Sequence, residues 1–227
     1  MRFRTTLAMV LALSIPCIGR AQMGGMQMGG MQNEDPDKKI QGTGTLPPGW
    51  QARLDSPSAK LADLSFMLMG TGVHSTTGPS GIFYLPANVA KGNFEVKATF
   101  TQTKPSAHRE ALGLFIGGQN LQGDNQQYTY LEIGQTGEYI LKRRIGAQAP
   151  TVINWTASPA VKKPAGDGPA TNTLSIVATA TTVSFRVNGT EVATQPRAAV
   201  DVEGIAGLRL NHNLDVHVEG FAVTPTK

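Results

Sequence analysis

An all-β fold, an antiparallel β-sandwich of the jelly-roll kind, is predicted by three features of this chain. From Trp50 onward apolar residues recur with period 2 in short runs, and no window sustains helical spacing for three turns. Gly, Pro, Asn and Asp punctuate those runs at close intervals. The third feature is local: Val183-Ser184-Phe185-Arg186-Val187 and Thr190-Glu191-Val192-Ala193 flank Asn188-Gly189. Asn-Gly between alternating runs marks a two-residue hairpin, because a type I′ turn needs positive φ at both central positions.

The pattern divides the chain into strands over 50–54, 64–69, 71–76, 81–85, 93–102, 111–117, 127–133, 138–145, 150–155, 172–178, 181–187, 190–195, 204–211 and 214–223. Many strands of this length with such frequent turns argue for a sandwich. Phe94, Val96, Ala98 and Phe100 alternate with Glu95, Lys97, Thr99 and Thr101, which puts one face of that strand in the core and the other in water. Gly117-Gly118, Gly123-Asp124-Asn125 and residues 134–137 supply turns around a central hairpin. Residues 158–170, with Lys162-Lys163, read as a surface loop. Trp50 and Trp155 read as core or sandwich-edge packing.

Ahead of the strands, residues 1–21 carry Arg2 and Arg4, an apolar run from Leu7 to Leu13, and Gly19-Arg20-Ala21, the three regions of a secretory signal peptide. Cleavage is expected after Ala21. The apolar run is too short to span a bilayer, so no stable membrane span is expected and the location reads as secreted or periplasmic. A lipid anchor at Cys17 is disfavoured by Pro16, where a small residue belongs. Cys17 is the only cysteine, so the mature domain must stand on its packing without disulfides. Residues 22–45 form a Met/Gly-rich leader, expected to be disordered, and 46–227 form one domain of a size that supports a single core. The formal net charge is +4, but without Arg2, Arg4 and Arg20 seventeen basic residues face sixteen acidic ones. Nucleic acid and anionic membranes are therefore poor partners.

Several of these runs carry a resemblance. Residues 113–118 (Gly-Leu-Phe-Ile-Gly-Gly), 128–133 (Tyr-Thr-Tyr-Leu-Glu-Ile), 138–142, 183–189 and 204–209 are similar to the concanavalin A-like lectin/glucanase jelly roll. More narrowly they resemble secreted bacterial domains related to 3-keto-disaccharide hydrolases. The likeness covers about residues 49–223 and rests on strands and turns rather than a catalytic centre. It implies two sheets, a concave face of the kind that meets carbohydrate, and an extracytoplasmic role. The Glu-x-Asp-x-Glu strand of the retaining glucanases on this fold is missing from the sequence.

Four groups of residues could carry chemistry. Met23, Met26, Met28 and Met31 offer four thioethers that could wrap Cu(I), or they are incidental to a low-complexity linker. Asp215, His217 and Glu219 share a face of the last strand, with His212 before it. They could bind a divalent metal or act as base and orienting acid, and the same alternation describes a wet sheet face. Tyr128, Tyr130 and Glu132 share a face of the next candidate strand, and Lys142 and Arg144 lie on its hairpin partner. Such a set suits a polyhydroxylated ligand, by stacking and hydrogen bonding, and equally suits cross-strand packing. His74 sits at a strand end before a turn-rich segment, as a ligand-facing or merely solvent-facing histidine. Gly78-Pro79-Ser80-Gly81 lacks the nucleophile-elbow spacing, and Gly70-Thr71-Gly72 lacks a phosphate-loop glycine at 75.

The sequence thus reads as an exported jelly roll that binds carbohydrate or another polar ligand without catalysis, and it calls for no cofactor. The alternatives are a glycoside-active hydrolase drawing on His74, Glu132, His212, Asp215 and His217, and copper handling through the leader.

Overall fold

The computed structural model describes residues 40–227. The expected signal peptide and the thioethers of Met23, Met26, Met28 and Met31 lie outside the described residues. The strands are β1 (Gln51–Leu54), β2 (Ser65–Met69), β3 (Gly72–Thr76), β4 (Gly81–Ala90), β5 (Phe94–Gln102), β6 (Ala111–Gln119) and β7 (Gln127–Gly134). They continue as β8 (Glu138–Ile145), β9 (Thr151–Ala157), β10 (Ala170–Ala178), β11 (Thr182–Val187), β12 (Thr190–Pro196), β13 (Gly204–Leu210) and β14 (Asp215–Pro225). Two seven-stranded sheets result: sheet A in the order β1-β4-β13-β6-β7-β8-β9 and sheet B in the order β12-β11-β10-β5-β14-β3-β2. Every ladder in both sheets is antiparallel.

Each expected strand is present, and the widest departure is β4, which runs on past Pro86 to Ala90. Its ladder with β13 shifts register between Ile205 and Gly207, so Pro86 occupies an irregular stretch where no ladder N–H is needed. Two single-turn 3₁₀ helices, Leu61–Asp63 and Arg197–Ala199, are too short to leave a periodic signal.

The core lies between the sheets. Phe83, Leu114, Leu131, Leu141 and Leu208 of sheet A meet Val96, Phe100, Ile176, Phe185 and Val216 of sheet B, all buried. Each such Leu or Phe contributes about 1.5–3 kcal/mol by leaving water. Asn188 (φ 51°) and Gly189 (φ 82°) form the expected hairpin turn. The Asn188 amide also donates to Ala160 O at 2.8 Å and to Asn172 Oδ1 at 2.7 Å. Asn172 in turn brackets the Lys162 backbone, and Val161 is buried. The 158–170 loop lies on the surface as expected, with Lys162 and Lys163 exposed, and is anchored to the hairpin through Asn172 and Asn188. At the other end, Gly42 donates to Ala62 O at 2.8 Å, and a Cβ there would fall 1.6 Å from Leu64 O. No helix among the described residues is long and apolar enough to cross a membrane.

Candidate functional site

Alternation forces half of sheet A's side chains away from the core. Ile82, Tyr84, Phe115, Leu121, Tyr128 and Tyr130 form a second buried apolar cluster on that outer face. Register aligns the face in rows. One row crosses β1, β4, β13, β6, β7 and β8 as Arg53, Ile82, Arg209, Gly113, Glu132 and Ile140. The next row is Gln51, Tyr84, Gly207, Phe115, Tyr130 and Lys142. Gly113 leaves the position between Arg209 and Glu132 without a side chain, so the arginine spans that gap to the carboxylate. A Cβ on Gly113 would lie 1.8 Å from Leu131 O. In the second row the space over Gly207 is filled by the Phe115 ring, which a Cβ would approach to 2.5 Å.

Arg209 is the centre of this face. It donates twice to Asp55, at 2.9 and 2.6 Å, its Nε lies 3.4 Å from Glu132 Oε1, and its guanidinium sits 5.6 Å from the Tyr130 ring centroid. The side chains of Arg209 and Glu132 are only 10% and 5% exposed. Burial pushes the Glu132 carboxyl up, and Arg209 offsets this only in part. Burial acts the same way on Asp55, but Arg209, Arg144 and Arg53 together outweigh it and leave that carboxyl below the usual range. Burial also opposes the charge on Arg209, yet Asp55 and Glu132 prevail and hold it firmly protonated. Arg209 Nε and Glu132 Oε1 are sealed from solvent without a hydrogen-bond partner. Sealed charge of this kind costs stability, and two nearby carboxyls pushed in opposite directions are a mark of functional sites.

Asp55 connects this buried centre to the surface. With Arg53, Ser56, Pro57 and Asp124 it lines a cleft of about 390 Å³, within the size range of small-molecule sites. Arg53 braces the far wall by donating to Gln122 O at 2.6 Å, and the Gln122 amide donates to the Tyr84 hydroxyl at 2.7 Å.

The structure separates the residues singled out in the sequence. Tyr128, Tyr130, Glu132 and Lys142 do share the outer face of sheet A. The two tyrosines are 2% and 4% exposed, however, with ring centroids 5.5 Å apart and Phe115 at 5.2 Å from Tyr128. They are walls of a packed cluster, not open stacking platforms, and burial raises both phenol pKa values. His74, Asp215 and His217 lie on the outer face of sheet B, because β14 pairs with β3 and sets His217 opposite His74. Their rings are 6.1 Å apart; His74 Nε2 is 3.3 Å from Asp215 Oδ1, and His217 Nε2 is 3.4 Å from Glu219 Oε1. His212, in the turn before β14, lies 2.6 Å from the buried Glu110. The expected acid, base and ligand pool therefore splits into three places: Glu132 is on the opposite sheet from His74, Asp215 and His217, and His212 has its own carboxylate. Among the described residues no group of three or more His, Cys, Asp or Glu is arranged to hold a metal ion.

Asp55 and Arg209 are the functional candidates that sequence reasoning passed over. Arg209 had a signal, as the one charge in the apolar strand Gly204–Leu210. Asp55, in a turn far away in sequence, had none.

No protein-family model matches the chain, and no curated protein is recognisably similar to it. Solved structures are similar in fold. Carbohydrate binding module CBM66 from Bacillus subtilis superposes with a TM-score of 0.57 at 11% identity, over 81% of this chain and 98% of that one. A protein of unknown function with a galectin-like fold, also from Bacillus subtilis, gives 0.53 at 13% identity over 77% and 88%. A Bacteroides ovatus GH16 protein, solved with a product, gives 0.51 at 9% identity over 74% and 92%. The chain is thus a concanavalin A-like jelly roll, as its strands imply. The likeness stands at the level of the fold.

Proposed function

We propose that this jelly roll binds a saccharide, or a ligand of similar polarity, at the outer face of sheet A. The observation that carries the reading is the Asp55–Arg209–Glu132 cluster, whose outer carboxylate opens onto the cleft. Hydroxyl groups need acceptors and donors held in fixed positions, and Arg209 locks the Asp55 carboxylate while one edge of it stays wet. The folds of the carbohydrate binding module and the GH16 protein agree with a glycan-related role. Calorimetry guided by a glycan array tests the reading: the protein binds at least one oligosaccharide, and Asp55→Asn, assayed well below its own lowered melting temperature, weakens that binding. Absence of binding across the array would overturn it.

A further inference from the structure

The carboxylates of this face are already engaged. Asp55 and Glu132 are held by Arg209, and Asp124 at the cleft rim lies 4.0 Å from Arg53. Two cations on β8 are not matched in this way. Lys142 stands opposite Tyr130 and Arg144 opposite Tyr128, both half-buried. Among the described residues neither side chain has a carboxylate within ion-pair distance or a protein hydrogen-bond acceptor. Arg144 Nε is in addition shut off from solvent with no partner. A ligand cannot reach that sealed nitrogen, but the outer nitrogens of the half-buried guanidinium and ammonium lack a protein acceptor and gain one where a ligand supplies it.

The spacing along the strand is regular. Residues two apart on one face are separated by about 6.6 Å, so Lys142 and Arg144 rise from neighbouring positions of the outer face beside the tyrosine strand. A guanidinium fork matches a planar carboxylate, and a flexible ammonium supplies a second, point-like contact. We infer that the ligand of this face is an acidic saccharide, with a sugar carboxylate seated on Arg144 and Lys142 while its hydroxyls reach Asp55 in the cleft. This rests on the saccharide reading above.

The test uses the full chain against an array holding uronate and sialylated glycans together with neutral ones, followed by calorimetry on an oligogalacturonide and its methyl-esterified form. Binding to the acid is expected to exceed binding to the ester by about tenfold or more, and to weaken as salt rises. The double variant Lys142→Gln, Arg144→Gln should abolish that preference. Its melting temperature should stay close to that of the parent, since neither side chain has a hydrogen-bond or ion-pair partner to lose and their pull on Asp55 and Glu132 acts at longer range. Equal affinity for acid and ester, retention of the preference by the double variant, or capture of neutral glycans only would overturn the inference and leave the saccharide reading standing. An array with no binder at all would overturn both.

Discussion

The two outer faces of this sandwich are built by the same alternation and have opposite chemistry. On sheet B the charged side chains are close in sequence, as with Asp215, His217 and Glu219, and their contacts lie on a partly wet surface. Exposed pairs of that sort contribute about 0–1 kcal/mol. On sheet A a single arginine gathers carboxylates from residues 55 and 132, and Arg209 and Glu132 are buried beside the tyrosines while Asp55 keeps one edge in the cleft. The difference shows that a cluster of chemically attractive residues in one strand is weak evidence for a site. Burial, not proximity in sequence, is what makes charges on a sheet consequential.

The largest expected effect breaks the sheet A cluster at its centre. Arg209→Met leaves Glu132 and Asp55 without their cation and should destabilise the protein by about 3–5 kcal/mol, read from urea unfolding. Adding Glu132→Gln to that variant should recover part of the loss; no recovery would mean that the arginine acts mainly through packing. Gly113→Ala comes next. The Cβ collides with Leu131 O, and a cost of about 1–3 kcal/mol is expected from overpacking, whereas Gly189→Ala on the exposed hairpin turn meets no neighbouring atom and should suffer only from its positive φ.

A smaller effect sharpens the comparison through pH. Glu132 has a raised pKa in the folded state, so its contribution is full below the ordinary glutamate range and is lost as pH rises through the folded value. The stability of Glu132→Gln relative to the parent should therefore improve with rising pH. Asp55 has a lowered pKa, so its contribution is present above the ordinary aspartate range and is lost as pH falls. Asp55→Asn should flatten the acid limb of the stability profile. The smallest effect belongs to sheet B: His217→Gln should change stability by no more than about 1 kcal/mol and leave ligand binding intact. A large loss of binding there would reverse the assignment of the two faces.

Much of the fold was legible in the sequence because strand periodicity and turn chemistry are local. Asn188-Gly189 announces its turn through the φ values it tolerates, and Phe94 to Phe100 declare their buried side by alternation alone. Pro86 misled for an equally local reason, since a proline reads as a strand end unless the partner strand is known to bulge there. The site was legible only in fragments. Tyr128, Tyr130, Glu132 and Lys142 could be placed on one face from spacing, but their burial could not, because it depends on what the neighbouring strands contribute.

The sequence by itself pointed to the strands of the described residues, the inward side of Phe94 to Phe100 and the hairpin at 188–189, each settled by interactions spanning a few residues. Tertiary structure decided the order of strands within the two sheets, and with it the division of the histidines from Glu132. It also decided that Gly113 would separate Arg209 from Glu132 and that Asp55 would arrive from a remote turn. The physical reason is range: a backbone turn depends on adjacent dihedrals, whereas a buried ion cluster exists only once strands distant in the chain have excluded water together.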